Sequence, residues 1–245
     1  EVTEEAVYFD QTGQILLRAQ RLGEMTAEER EETILAGVLD VGGSAGVGPY
    51  KPVYRPSGTA TALYSAGNTN YLSTATPLVD WTDIDEVFVY HAENMRDDRA
   101  AVSERRPIVW MPKVLLVSRK LAGTAARILS APEHRSGDIT AGAGNQLIGG
   151  NPVSNIAPGL SALSSPFLDY LATVTGSQYD DSDDWLIGDF KRQFIWQDIW
   201  PLQTFRATAN DEAQFRRDIL ARYKIRYFGA PAALDAKQVI KVNAV

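Results

Sequence analysis

Few residues in this chain have the type and spacing to do chemistry. Gly42-Gly43-Ser44-Ala45-Gly46 matches the G-x-S-x-G pattern of a nucleophilic serine. The pattern raises a serine hydroxyl only where a strand leads in and a helix leaves. Here a helical pattern precedes Ser44, and Gly48, Pro49 and Pro52 block a helix after it. Gly142-Ala143-Gly144 opens like a dinucleotide fingerprint, but Leu147 stands at the third glycine and no strand leads in. The run Asp180-Asp181-Ser182-Asp183-Asp184 has the composition of a hard-cation site without the loop or closing Glu of a calcium hand, so it reads as a solvated acidic turn. The two histidines are separate: His91 lies on an apolar helical stripe and reads as packed, and His134 has no nameable partner. With no cysteine in the chain, disulfides, thiolate metal sites and thiol catalysis all fall away. No catalytic residue, cofactor site or metal site is assigned, and Trp81, Trp110, Trp185, Trp196 and Trp200 read as core or interface anchors.

Charge narrows the function further. Residues 1–40 hold ten acids against three bases (Arg18, Arg21, Arg30), which is the whole net charge of −7. The remainder is balanced, which argues against tight non-specific nucleic-acid binding through a basic face. The acidic start reads as a solvated helix face, with an arm lying on a neighbouring subunit as the alternative. Arg222, Lys224 and Arg226 form a local basic stripe, either the solvent face of a sheet or a face meeting an acidic neighbour or nucleic acid. No apolar run approaches the roughly 18 residues of a membrane span, and no signal peptide is visible.

The positioning elements are mixed. At 245 residues and 44% apolar the chain can bury a real core. Thr26-Ala27-Glu28-Glu29 reads as a capping box opening a helix that carries Ile34, Leu35, Val38 and Leu39 and ends near Gly42. A second helix starts at Asp80–Thr82, with Trp81, Ile84, Phe88, His91 and Met95 on one stripe and Arg96 closing it, and it reads as the longest. Residues 107–117 read as an edge strand because of Pro112, and Ser118 as the cap of a helix stopped by Pro132. Residues 167–174 are ambiguous. Phe194–Trp200, the alternating run 219–228 and Val239–Val242 read as strands. No βαβαβ rhythm appears, so the fold class is α+β. Residues 37–58 and 137–159 hold seventeen of the thirty-one Gly and Pro residues and read as long projections that make contact outside the subunit.

From about residue 55 onward the pieces resemble the major capsid protein of tailed bacteriophages, with the Hong Kong 97-type shell fold. The resemblance rests on Ala62–Asn68, on Val79-Asp80-Trp81-Thr82-Asp83-Ile84 entering a helix, and on Pro112–Ser118 leading to Leu121–Leu129. Asn151-Pro152-Val153-Ser154-Asn155, Trp185–Phe190, Phe215–Lys224 and Gly229 complete it, by order and spacing more than by any one motif. It implies an N-terminal arm (1–40), a β-hairpin extension loop (41–76), a discontinuous peripheral domain with a long helix and a flat sheet (77–117 and 213–245), and an axial domain (118–212). An upstream scaffolding segment removed by a protease is also implied, and fits Glu1 at the start. Some members cross-link Lys to Asn; Lys51 lies in the proposed loop, but no motif fixes its partner.

The implied function is a non-enzymatic head subunit that self-assembles into an icosahedral shell around double-stranded DNA. Its partners would be many copies of itself as hexamers and pentamers, a portal, decoration proteins, and DNA touched weakly on the inner face, with no membrane and no cofactor. It would be assembled in the bacterial host cytoplasm and reside in the virion. Candidate inter-subunit contacts are Lys51, Tyr54, Arg55, Asn151, Asn155, Arg222, Lys224 and Arg226. The alternatives are an encapsulin-type compartment shell, an α+β binding module and, last, a serine hydrolase at Ser44.

Overall fold

The computed structural model describes residues 2–3, 14–97, 104–136, 147–179, 181–208 and 219–244. The Gly142 fingerprint, Asp180 and residues 215–218 of the resemblance lie outside them. In chain order the elements are β1 (Val2–Thr3), α1 (Gln14–Val38), β2 (Tyr71–Leu72), α2 (Trp81–Asn94), β3 (Val114–Val117), α3 (Ala122–Ser130), β4 (Glu133–Ser136) and β5 (Leu147–Gly150). There follow α4 (Pro152–Ile156), β6 (Ser161–Ser164), α5 (Pro166–Ala172), β7 (Trp185–Gly188), α6 (Phe190–Gln193), β8 (Phe194–Thr208), β9 (Ile219–Ala233) and β10 (Val239–Val242). Two compact units form: residues 1–34 with 196–231, and residues 35–195 with 232–245. These boundaries differ from those of the four parts that the resemblance implies.

The larger unit is built on a five-stranded mixed sheet in the order β2-β10-β7-β3-β6. β10 and β3 each pair antiparallel with β7, and parallel with β2 and β6 respectively. β3, β7 and β10 are almost continuously apolar because both sheet faces are covered. Leu115, Val117, Trp185, Ile187, Ile240 and Val242 join one cluster with Ile84 and Val87 of α2 and Ala125 and Ile128 of α3. Buried polar groups tie loops to this core. The Asn70 amide donates to Leu63 and Ala236 carbonyls, and the Gln193 carbonyl oxygen accepts from Gln238 and Val239 amides.

α2 starts as predicted: Asp80 and Asp83 form a reciprocal capping box. Other local readings are corrected. Pro112 does not make an edge strand, since the ladder begins at Val114 and β3 is paired on both sides. The missing proline N–H therefore falls outside the hydrogen-bonded run. Ser118 does not cap α3, which begins at Ala122 behind Leu121 with no side-chain cap. Residues 167–174 resolve into α5, capped by Ser165.

The glycine-rich stretches are also corrected. Residues 41–76 make no long hairpin; Val41, Val53, Leu63 and Leu72 are buried within the unit. The glycines there serve tight turns: Gly43 and Gly46 have φ of +51° and +87°. A Cβ on Gly42 would sit 2.9 Å from the Lys51 carbonyl carbon. In the second stretch Leu147–Gly150 pairs with β4, and Asn151-Pro152 opens α4, where proline at the first turn costs no hydrogen bond.

The smaller unit holds most of α1 and the three-stranded sheet β1-β9-β8. α1 runs 25 residues and, not α2, is the longest described helix. Thr26 is no cap: its hydroxyl donates to the Leu22 carbonyl one turn back, as Thr33 does to Glu29. The preceding residues are mostly Leu, Arg, Gln and Met, good helix formers that extend the helix upstream past the apparent start signal.

Candidate assembly surfaces

Contacts run in opposite senses along β8 and β9, so the two form an antiparallel ribbon. Gly229 lies against Trp196, Phe228 against Trp200, Arg226 against Gln203 and Arg206 over Tyr223. Strand alternation then sorts β9. Tyr223, Ile225 and Tyr227 are half-buried, whereas Lys224, Arg226 and Phe228 are exposed. The half-buried side faces α1. Arg30 reaches Asp198 at 3.8 Å and stacks over Trp196, and Tyr227 is raised in pKa by burial and then by the nearby Glu29.

The opposite face of the ribbon is aromatic and basic. Trp200 and Phe228 are 53% and 52% exposed, with ring centroids 5.8 Å apart. The Arg226 guanidinium lies 5.2 Å from the Trp200 ring and 5.1 Å from Phe205, and donates to Gln203 at 3.2 Å. Ring faces attract a cation and hold the side chain in one place. Ile199 and Leu202 are exposed as well. Large apolar side chains exposed together on a regular element make this face a candidate contact surface.

The outer side of α1 is a second such surface, with the opposite charge. Leu17 and Met25 are both 58% exposed and share this side with Arg21, Glu24 and Glu28. Gly23, Thr26 and Thr33, on the other side of the helix, are partly covered.

The larger unit buries charge. The Lys241 ammonium pairs with Asp184 at 3.0 Å, their side chains 4% and 1% exposed, and donates to the Gln178 carbonyl. Asp184 also accepts from the Ala244 amide, so it is not part of a solvated turn. Asp40, left-handed at φ +55°, accepts from the Leu63 amide, and burial raises its pKa to about 6. His91 stacks on Trp110 at 4.5 Å, and burial followed by the charge of Arg96 lowers its pKa to about 4. These groups have the burial of active-site residues, but they stand among core side chains. Among the described residues no group of three His, Cys, Asp or Glu could hold a metal ion.

The sequence-predicted contact residues separate. Lys51 and Arg55 are exposed on the turn-rich segment, while Tyr54 packs against the small Val53–Leu63–Ala236 cluster. Asn151 is buried and its amide is used inside the subunit: Oδ1 caps Val153 and Nδ2 donates to Ile128. Asn155 is exposed on α4. Arg222 is half-buried, and Lys224 and Arg226 stand on the open ribbon face. Ser44 is exposed in a turn, without the strand-to-helix elbow its motif requires. Trp200, read as a core or interface anchor, stands exposed here, and Phe205 and Phe228, which the sequence reading does not single out, stand exposed beside it; the signal was an aromatic at intervals through a run that also carries Arg and Lys.

The family described as phage capsid protein matches this chain over residues 1–242. No curated protein matches. A structure titled as the capsid of an empty GTA particle computed with C5 symmetry is similar at 13% identity and a TM-score of 0.50, with 99% of this chain and 70% of that one covered. A structure from Mycobacterium phage Ogopogo matches at 18% identity, TM-score 0.43, covering 98% and 72%. The holo-SrpI encapsulin complex from Synechococcus elongatus PCC 7942 matches at 14% identity, TM-score 0.47, covering 100% and 71%.

Proposed function

This chain belongs to the phage capsid protein family, as a structural protein with the mixed helix-and-sheet Hong Kong 97-type fold, and from that premise we propose that it assembles with copies of itself into a closed icosahedral shell around double-stranded DNA. The observation that carries the proposal is the smaller unit, whose helix and ribbon both leave large apolar side chains in water. A protein that works alone covers such surface. A tiling protein covers it with its neighbours, and many modest contacts per subunit add up.

A long helix and a sheet formed from distant parts of the chain are what the resemblance implies for a peripheral domain. In this reading the smaller unit, residues 1–34 with 196–231, serves as that domain in place of 77–117 with 213–245, since it holds both a long helix and a sheet. The larger unit then takes the axial part, with the β4–β5 hairpin as a candidate for its tip. Hexamers and pentamers, a portal at one vertex, decoration proteins and assembly in the host cytoplasm belong to the same reading. So does the weak inner contact with DNA, which the acidic balance suits. A capsid protein resides in the virion.

The test is electron microscopy of the purified chain across protein concentration and salt. Closed shells of uniform size support the reading, and nuclease-resistant DNA inside shells from infected cells completes it. A chain that stays monomeric under all these conditions overturns it, and cages that hold a protein cargo and no DNA favour a compartment shell.

A further inference from the structure

The smaller unit has two open faces that differ in sign and match in kind. We propose that they bind each other between copies: the aromatic, basic face of the β8–β9 ribbon of one subunit docks on the acidic outer face of α1 of the next. This rests on the self-assembly reading and names the contact it would use.

On the ribbon, Trp200, Phe205 and Phe228 surround Arg226, with Lys224 beside them on the same strand face. On the helix, Leu17 and Met25 lie among Arg21, Glu24 and Glu28. Each face alone leaves apolar groups in water. Brought together, rings cover the Leu and Met side chains while two bases meet two acids. The charges of the two elements point the same way: α1 carries Glu24, Glu28, Glu29, Glu31 and Glu32 against Arg18, Arg21 and Arg30, while the ribbon carries Arg206, Arg222, Lys224 and Arg226 against Asp198. Complementary charge fixes register and rejects the like-with-like pairing, helix against helix or ribbon against ribbon.

Geometry makes the contact head-to-tail. Tyr227 lies beside Glu29 and Arg30 of α1, and alternation puts Tyr223 and Ile225 on that same side of the ribbon, so Lys224, Arg226 and Phe228 face away from it. The covered side of α1, with Thr26 and Thr33, likewise lies opposite Leu17, Glu24 and Glu28. The two faces point apart and cannot meet within one copy. A contact between unlike patches propagates from subunit to subunit and closes as a ring when the rotation between neighbours closes.

The test uses two doublets and their combination. Lys224→Glu with Arg226→Glu reverses the ribbon, and Glu24→Lys with Glu28→Lys reverses the helix. Each doublet raises the concentration needed for particles by about tenfold or more, and the quadruple variant returns it to near the wild-type value. Circular dichroism establishes that each variant is folded. Because the chain has no cysteine, Lys224→Cys with Glu28→Cys supplies a readout that survives weak assembly. Oxidation gives a reducible ladder extending beyond the dimer. Neither single cysteine variant gives a ladder.

Wild-type shells with doublets that assemble equally well, a quadruple variant worse than either doublet, or cysteine variants that stay monomeric overturn this contact and leave the shell reading intact. Ribbon-reversed particles that form normally but lose their DNA also overturn it, and assign the ribbon to nucleic acid. A wild-type chain that never assembles overturns both.

Discussion

Two buried titratable side chains of the larger unit pull stability in opposite directions with pH. His91 was legible as a packed histidine because it sits on the apolar stripe of α2 with Ile84 and Val87. Asp40 was not, since it follows an acidic helix and reads as one more solvated carboxylate. Its flanking residues, Leu39 and Val41, are both fully buried and carry it inside. The pKa of His91 is depressed to about 4, so the unfolded chain binds more protons between pH 6.5 and 4 and stability falls on acidification across that window. The pKa of Asp40 is raised to about 6, so the folded chain holds the extra proton and stability falls as pH rises from 3.8 to 6. Each effect is about 3 kcal/mol at full extent, and in the wild type they largely cancel. Asp40→Asn keeps an acceptor for the Leu63 amide and removes one slope, so its urea midpoint climbs steadily between pH 4 and 6.5. His91→Phe keeps the stack on Trp110 and removes the other, so its midpoint declines over the same range. Parallel profiles for the two variants would show that the shifts have been assigned to the wrong groups.

At the scale of elements, alternation and one helix start were readable, whereas the Thr26 and Ser118 caps and most boundaries were not. The β9 alternation and the helix start at Asp80–Thr82 are local patterns, and both form as read, the latter closed by an Asp80–Asp83 box that the sequence reading does not name. The start of α1 was misread because a capping box constrains a helix start only where no helix is already running. The sheet position of β3 was misread because proline forbids a central strand only within its paired residues. Glycines divide in the same way, between those that permit a turn and those that admit a neighbour. A Cβ on Gly188 in the central strand β7 would lie 2.2 Å from the Gln238 carbonyl oxygen and 2.6 Å from the Val239 Cα. That crowding is backbone on backbone and no rotamer relieves it. Gly188→Ala therefore destabilises by about 3 kcal/mol or more, read as a lower midpoint in urea. Gly123 in α3 has nothing within 4 Å of the place a methyl group would take, so Gly123→Ala stabilises by up to about 1 kcal/mol through helix propensity. An equal response of the two variants would rule out crowding as the cause.

Across the whole molecule, the sequence suggested two kinds of segment for contact with neighbours: the glycine- and proline-rich stretches, and the acidic start with the basic stripe Arg222, Lys224 and Arg226. Glycine and proline mark where the backbone turns, and a turn-rich stretch such as 41–60 can still anchor inside one subunit, as Val41 and Val53 do. Exposed apolar residues on α1 and on the ribbon follow the same periodicity as core-facing ones, because a helix or strand that meets another copy is patterned like one that meets its own core. Sequence periodicity therefore records that a face is covered without recording by which molecule. The physical difference lies in protection. β3, β7 and β10 are buried on both faces within one subunit, so their amides exchange only by opening the larger unit. The amides of β8 and of α1 between residues 21 and 31 lie under side chains that are mostly exposed, so a dissociated subunit opens them at little cost. Hydrogen exchange on shells and on subunits dissociated from them separates the two classes. Assembly slows exchange in α1 and the β8–β9 ribbon by about tenfold or more and leaves the five-stranded sheet nearly unchanged. Uniform slowing over both units would mean that assembly tightens the whole subunit. No slowing at the ribbon would mean that the aromatic face remains in water after the shell has closed, and the surface most in need of a neighbour would be without one.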